Sequence, residues 1–363
     1  MPHDPAPRSF GDAPSPPRLA PPFARALAAG VACALAGLLA AAPTFAQTVP
    51  PVSAPRMTLH AALNKSKGYV VGARLSASGL HRLDGDTTWT HLGWSNPRIS
   101  GVAFDPSVPQ RRYLAAGNGV MVSQNAGQAW RIPTDWRVTE VQDVAAEPGR
   151  AYAATAYGIW RSLDGGITWA EANTGIPTMD RYTQDIEADP TRTGHVLAAT
   201  DRGVYVSTDA AASWTRTSAP MTVYDLAQSA AAPTTWYAAT RGHGLLRSTD
   251  GGASWQDAAP AFRTTTFMMV AADPFDARRV AAASWGQGVV VTTNGGRTWT
   301  SRTRGLPVPN TYAVVYDVNV RHRLWAATVE AGIFRSDDDG RTWRYAGMNG
   351  TLVFDLTFLP DTP

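Results

Sequence analysis

An eight-residue segment that ends in tryptophan recurs along most of this chain, and it restricts the possible folds more than any other feature. Clear copies are SLDGGITW (residues 162–169) and STDGGASW (residues 248–255), and a degenerate copy is RLDGDTTW (residues 82–89). The final tryptophans lie 39 to 45 residues apart, at Trp89, Trp130, Trp169, Trp214, Trp255, Trp299 and Trp343. Such a period predicts one supersecondary unit per copy and a core built by packing neighbouring units together.

Each repeat carries the pattern of four short strands. A strand-like run ends near Asp-Pro, as in GVAFDP (residues 101–106), and a short apolar run such as VLAAT (residues 196–200) follows. A glycine turn then leads to a third run such as VYVS (residues 204–207), and the tryptophan segment connects the third strand to the fourth. Four strands for each period of about 40 residues predict an all-β, seven-bladed β-propeller with four-stranded blades.

The two ends of the repeat region are complementary. The first copy, from the YVVG run (residues 69–72) to Trp89, supplies a second, third and fourth strand but no first strand. The run LVFDLTFLP (residues 352–360) resembles a first strand without a blade. We therefore expect the C-terminal strand to join the N-terminal blade, since this pairing removes an open sheet edge.

The residue types of the tryptophan segment are those of a structural turn. A short Asp or Asn side chain can accept hydrogen bonds from N–H groups further along the turn, and Gly tolerates the positive φ that such a turn requires. The tryptophan ring is expected to be buried between sheets. We therefore assign the segment to folding and not to catalysis.

The pattern S-x-D-x-G-x-[TS]-W resembles the Asp-box, or BNR repeat, of sialidases, sortilins, xyloglucanases and photosystem II assembly factors. Seven copies cover residues 69–360. The resemblance implies a propeller whose boxes lie away from the ligand-binding face.

The N-terminal region is typical of a secretory signal. Basic residues precede an Ala/Leu/Gly/Val run (residues 26–42), and small residues precede Gln47. We predict a signal peptide (residues 1–46) cleaved after Ala46, a flexible linker (residues 47–60), a propeller domain (residues 61–363) and a periplasmic or secreted protein. The alternative is an uncleaved anchor, since about 20 apolar residues can span a bilayer; it would be the only membrane contact.

Composition excludes several kinds of site. With 32 basic and 29 acidic residues the formal charge is only +3, so no nucleic-acid partner is predicted. The single cysteine, Cys33, excludes a disulfide framework and a cysteine-based zinc site. The seven histidines lack metal-ligand spacing, and no glycine-rich phosphate loop is present, so we predict neither a metal nor a cofactor.

Propellers bind ligands at the channel rim, on the loops that lead into first strands and on the turns between second and third strands. These positions carry Trp and Arg, a composition that is enriched at interfaces. The candidate ligand- or partner-binding residues are Trp94, Trp136, Tyr157, Asp201, Arg202, Arg241, His243, Trp285, Gln287 and Glu330.

The pattern favours an exported, non-catalytic module that binds a protein or carbohydrate ligand, similar to the assembly factors. The alternative is a glycoside hydrolase similar to the xyloglucanases, with Asp201 on the matching turn and Glu330 as its partner. Sialidase activity is not favoured, because the Arg-Ile-Pro run (residues 131–133) follows a box tryptophan and would lie at an outer blade edge.

Overall fold

The computed structural model describes residues 56–65, 78–93 and 98–361. The predicted signal peptide and most of the predicted linker lie outside these ranges. The described residues form seven sheets and two single-turn 3-10 helices (Thr178–Asp180 and Pro260–Phe262). None of the helices in these ranges is long and apolar enough to cross a bilayer.

The blades are numbered in chain order. Blade 1 contains β1 (Met57–Lys65), β2 (Gly79–Leu83) and β3 (Trp89–Leu92). Blade 2 contains β4 (Ile99–Asp105), β5 (Val108–Ala116) and β6 (Gly119–Ser123). Blade 3 contains β7 (Val141–Glu147), β8 (Arg150–Thr155), β9 (Gly158–Ser162) and β10 (Ala170–Glu171). Blade 4 contains β11 (Thr183–Ala188), β12 (Val196–Thr200), β13 (Gly203–Ser207) and β14 (Thr215–Arg216).

Three further blades follow, and the last strand returns to the first blade. Blade 5 contains β15 (Val223–Gln228), β16 (Trp236–Thr240), β17 (Leu245–Ser248) and β18 (Gln256–Asp257). Blade 6 contains β19 (Phe267–Ala272), β20 (Val280–Ser284), β21 (Gly288–Thr292) and β22 (Thr300–Arg302). Blade 7 contains β23 (Thr311–Tyr316), β24 (Leu324–Thr328), β25 (Gly332–Ser336) and β26 (Arg344–Tyr345). The final strand is β27 (Thr351–Pro360), which pairs with β1.

The ring closes as the sequence predicts. Blade 1 has the strand order β27-β1-β2-β3, so one C-terminal strand completes three N-terminal strands. The first strands of successive blades contact one another around the whole ring, including β23 with β27 and β27 with β4. The seven-bladed all-β prediction is therefore confirmed.

The prediction for the second strand of blade 1 is wrong. That strand is β1 (Met57–Lys65), and the YVVG run (residues 69–72) lies outside the described residues. Residues 57–60, assigned to the linker, therefore belong to the sheet. The small pair Ala61 and Ala62 stands where the other second strands carry Ala-Ala, for example Ala198 and Ala199 of β12.

Blade 2 has a reduced outer edge. Its sheet contains only three strands, and a single antiparallel bridge between Val122 and Arg131 replaces the fourth. Arg131 thus lies at the outer edge of the blade, as expected from its position after Trp130.

The core lies between the blades. Second strands such as β12 and β16 are buried at every residue, because both faces of each blade are covered by neighbouring blades. Small residues such as Ala198 and Ala238 allow this close packing. Each of seven apolar clusters joins one pair of adjacent blades, so the molecule has a ring of cores instead of one centre.

The tryptophan segments form the expected turns between third and fourth strands. In blade 3, Asp164 accepts hydrogen bonds from the N–H groups of Ile167 and Thr168 and from the hydroxyl of Ser162. The following tryptophans reach the neighbouring blade, as Nε1 of Trp214 donates to the carbonyl of Ala172 at 2.8 Å. Burial is less complete than expected. Only Trp214 and Trp343 are buried, whereas the other five rings are half-buried at the rim of the blade interfaces.

Candidate functional site

The 2–3 turns, which connect second and third strands, and the lead-in loops, which precede first strands, meet on one face of the ring. In blade 4 the N–H of Asp201 donates to the carbonyl of Tyr182 at 3.0 Å, and in blade 6 Trp285 donates to Thr266 at 3.0 Å. The same bond joins Ala156 to Glu140, Arg241 to Thr222, and Val329 to Asn310. We call this surface the loop face; the tryptophan segments lie on the opposite face.

The structure exposes most of the predicted site residues on the loop face. Trp136 is 85% exposed, Tyr157 60% and Trp285 54%, so these rings do not cap the core. Four further side chains are exposed: Arg202, Arg241, His243 and Gln287. Asp201 and Glu330 are half-buried, and Trp94 lies outside the described residues.

Asp201 lies at the edge of the central channel. Its Oδ1 accepts a hydrogen bond from Nε2 of Gln184 at 2.9 Å. Gln184 follows the first residue of β11 and lines the channel, so it fixes one carboxylate oxygen of Asp201 at the channel rim. The turn itself is held by Thr200, whose hydroxyl donates to the carbonyl of Gly203 at 2.9 Å.

Glu330 is not brought near Asp201. It lies on the 2–3 turn of blade 7, whereas Asp201 lies on the corresponding turn of blade 4, with blades 5 and 6 between them in the ring. Two catalytic carboxyl groups must lie within about 10 Å of each other. The predicted pairing of these two residues is therefore unsuitable for glycoside hydrolysis.

A carboxylate that the sequence analysis missed lies on the blade next to Asp201. Glu140 precedes β7 of blade 3 and accepts a hydrogen bond from the hydroxyl of Tyr157 at 3.1 Å. This hydrogen bond raises the pKa of Tyr157 above its usual value. Glu140 also has φ of +50°, a conformation that costs energy in a residue other than glycine and that is frequent at functional sites.

The channel opens on the loop face as a cavity of about 590 Å³. Its mouth is lined by one residue from each first strand, at the position where a β-bulge turns the side chain inward. Among these residues, Gln142 accepts a hydrogen bond from Arg98 at 2.6 Å, and burial raises the pKa of Tyr312. The complete set is Ser100, Gln142, Gln184, Tyr224, Met268, Tyr312 and Phe354.

Below the mouth, four aspartates link the first strands to one another. Each carboxylate accepts a hydrogen bond from a backbone N–H of the next blade, for example Asp185 from Leu226 at 2.9 Å and Asp225 from Val270 at 2.8 Å. Enclosure in the channel raises the pKa of Asp185 and Asp225 well above the usual range. These contacts make the aspartates structural; the four residues are Asp143, Asp185, Asp225 and Asp355.

Glu187 adds a fifth carboxyl group to the channel wall, and burial raises its pKa as well. Within residues 56–65, 78–93 and 98–361, no group of three His, Cys, Asp or Glu side chains is placed to hold a metal ion.

No protein-family model matches the sequence. Parts of the chain are similar to xyloglucanases. The enzyme of Hypocrea jecorina is 29% identical over 145 residues, which are 31% of this chain and 17% of that enzyme. The enzyme of Paenibacillus sp is 28% identical over 254 residues, which are 53% of this chain and 24% of that enzyme. The chain thus spans about a quarter or less of the length of these relatives.

Solved structures share the fold at low sequence identity. The GH74 enzyme of Niastella koreensis matches with a TM-score of 0.66 and 17% identity, over 81% of this chain and 52% of that chain. YCF48 from Cyanidioschyzon merolae matches with a TM-score of 0.53 and 17% identity, over 68% of this chain and 84% of that chain. The chain is therefore a seven-bladed propeller with xyloglucanases and YCF48 among its structural neighbours, and its similar curated proteins are glycoside hydrolases.

Proposed function

We propose that the loop face binds a polysaccharide of the type on which xyloglucanases act. The exposed rings of Trp136, Tyr157 and Trp285 on the loop face carry this proposal. Large aromatic side chains exposed together on one face mark a binding site, and their flat rings suit the apolar faces of sugar rings. The similarity to xyloglucanases favours a carbohydrate over a protein ligand.

We further propose that Asp201 serves a glycoside hydrolase reaction, with Glu140 of the neighbouring blade as the second carboxyl group. Inverting hydrolysis needs one carboxylic acid to protonate the glycosidic oxygen and one carboxylate to accept a proton from the attacking water. Asp201 is the more enclosed group and suits the acid, whereas the exposed Glu140 is open to water. This assignment replaces Glu330.

Turnover of xyloglucan tests the hydrolytic proposal. We expect the purified protein to release reducing ends from xyloglucan, and Asp201→Asn or Glu140→Gln to lower kcat by 100-fold or more, as removal of an acid–base group does. Glu330→Gln is the matched control and is expected to keep full activity. Activity that survives Asp201→Asn, or that depends on Glu330, would contradict the assignment.

The second candidate is a non-catalytic module that binds protein. It is favoured by the match to YCF48, which covers 84% of that protein; another structure shows YCF48 bound to D1 peptide. A protein that is captured stoichiometrically and binds through Arg241 and Trp285, together with no turnover of any glucan, would support this candidate against the hydrolase.

We also propose that the protein is exported and that the signal is removed. Mass spectrometry of the protein from its native host is expected to find Gln47 at the N-terminus. An intact N-terminal segment in a membrane fraction would support the anchor instead.

A further inference from the structure

Three exposed arginines form an arc on one half of the loop face. Arg202 lies on the 2–3 turn of blade 4, Arg241 on that of blade 5, and Arg263 on the lead-in loop of blade 6. His243 lies on the turn of Arg241, and Trp285 lies on the 2–3 turn of blade 6; both are exposed. We call Arg202, Arg241, His243, Arg263 and Trp285 the basic arc.

Backbone contacts make the arc a continuous surface. The turn of Arg202 packs on the lead-in loop of blade 5, since the N–H of Val204 donates to the hydroxyl of Ser218 at 2.8 Å. That loop holds the turn of Arg241, whose N–H donates to the carbonyl of Thr222 at 3.0 Å. The N–H of Gly244, in the turn of Arg241, donates to the carbonyl of Thr265 in the loop of Arg263. The N–H of Trp285 donates to the carbonyl of Thr266, so the same loop also holds the turn of Trp285.

The arginines of the arc are not neutralised by the protein. Some exposed arginines elsewhere pair with carboxylates, as Arg137 does with Asp135 at 2.7 Å and Arg278 with Asp276 at 2.8 Å. Among the described residues, no carboxylate oxygen lies within 4.0 Å of the guanidinium groups of Arg202, Arg241 or Arg263. The neighbouring acid, Asp201, instead bonds to Gln184.

We propose that the basic arc binds the carboxylate groups of an acidic polysaccharide. A guanidinium group binds a carboxylate through two parallel hydrogen bonds, and three such groups spread over three blades suit a polymer with a charge on successive sugars. Trp285 lies within the arc and offers a flat face to a sugar ring. The inference rests on the proposed function in taking the ligand to be a polysaccharide; the charge of that ligand follows from the arc itself.

Affinity electrophoresis in gels that contain a polysaccharide tests the inference. We expect polygalacturonate to retard the protein and its fully methyl-esterified form to have no such effect, because esterification removes the charge and keeps the backbone. Retardation by dextran sulfate, with dextran as the uncharged control, tests whether the site binds any anionic polymer instead of carboxylates. Retardation by poly-glutamate tests whether the site binds an acidic peptide as well as an acidic sugar.

Variants locate the binding. Arg202→Ala, Arg241→Ala and Arg263→Ala are each expected to weaken polygalacturonate binding about fivefold at low salt, and the triple variant on the order of 100-fold. Arg297→Ala removes an exposed arginine on the opposite face and is the matched control. Retardation is expected to fall as salt rises, because exposed charges are screened.

The outcomes separate the inference from the proposed function. Equal retardation by the ester, by dextran sulfate or by poly-glutamate would overturn the inference, as would an equal effect of Arg297→Ala. Turnover of xyloglucan without binding of polygalacturonate would support the proposed function and overturn the inference. Binding of polygalacturonate through the arc without turnover would support the inference and contradict the hydrolase.

Discussion

At the scale of single residues, the channel aspartates act as hydrogen-bond acceptors for the next blade. Met269 occupies the same position in blade 6, where its Sδ accepts from the N–H of Val314 at 3.4 Å. A thioether carries no charge, so an uncharged acceptor can make the same contact with the next blade. Gly101 in blade 2 and Ala313 in blade 7 occupy this position without a side-chain acceptor.

Gly101 is predicted to be sensitive to substitution for a steric reason. A Cβ at this residue would overlap Oδ1 of Asp143. We expect Gly101→Ala to lower the free energy of unfolding by about 1–3 kcal/mol, the usual cost of overpacking. Urea denaturation measures this change.

Two comparisons make the Gly101 prediction specific. Gly85→Ala adds the same methyl group where no atom lies within 4 Å, and it is expected to change stability little. Gly101→Ala is expected to cost less stability in an Asp143→Ser background than in the natural sequence, because the shorter side chain makes room. An equal cost in the two backgrounds would show that the Asp143 contact is not its cause.

At the scale of elements, the tryptophan turns tolerate exchange between acid and amide. In blade 6, Asn294 holds the turn with the same acceptor geometry, as its Oδ1 accepts from the N–H of Thr298 at 3.0 Å. In blade 5, Asp250 accepts from Ser248 and Ser254, and these bonds lower its pKa to about 2.

We predict that Asp250→Asn keeps the turn and that Asp250→Ala loses about 1–2 kcal/mol of unfolding free energy, because the alanine leaves N–H groups without an acceptor. Thermal unfolding at pH 7 compares the two variants. The lowered pKa of Asp250 means that its stabilising effect is present above about pH 4 and is lost as the pH falls toward 2. Equal losses in both variants would show that charge, and not the acceptor, maintains the turn.

The closing strand is the element on which the ring depends. Removing residues 351–363 takes β27, with Val353 and Leu356, away from β1 and uncovers Leu59 and Leu63 of the same apolar cluster. We expect the truncated protein to lose cooperative unfolding and to aggregate through the open sheet edge. Circular dichroism and gel filtration test this. A folded, monomeric truncated protein would contradict the role of the closing strand.

The sequence predicted the elements better than it predicted the pairing of side chains. The tryptophan period fixed the blade count and the side of the ring on which each turn lies, because these follow from repetition alone. β1 was missed because its MTLHAALNK sequence lacks the β-branched residues of the competing YVVG run. Glu140 and Gln184 were missed because a β-bulge and the pairing of first and second strands within a blade, neither visible in residue spacing, place them beside Tyr157 and Asp201.

At the scale of the whole molecule, the channel carboxyl groups link stability to pH. Enclosure in the channel raises the pKa of Asp355 from 3.8 to about 7. The folded protein therefore keeps a proton that the unfolded chain releases near pH 4, and stability from this group falls as the pH rises from about 4 to about 7. Asp143, Asp185 and Asp225 act in the same direction.

We predict that Asp355→Asn reduces this loss of stability between pH 5 and pH 8. The amide oxygen can still accept from the N–H of Val102 but does not titrate. Urea midpoints at the two pH values measure the effect. Burial lowers the pKa of His60 and His81 to about 4, which acts with the opposite sign, but both proteins share these residues. A pH dependence identical in the two proteins would contradict the prediction.

The pairing of β27 with β1 also sets an order of events during biosynthesis. One of the two partners of β1 is made only after nearly 300 further residues, since β1 ends at Lys65 and β27 begins at Thr351. A growing polypeptide can therefore assemble the middle blades while its first sheet still waits for a partner. If the chain is exported through a narrow pore, as its N-terminal region predicts, the ring can close only after the last strand has passed through that pore.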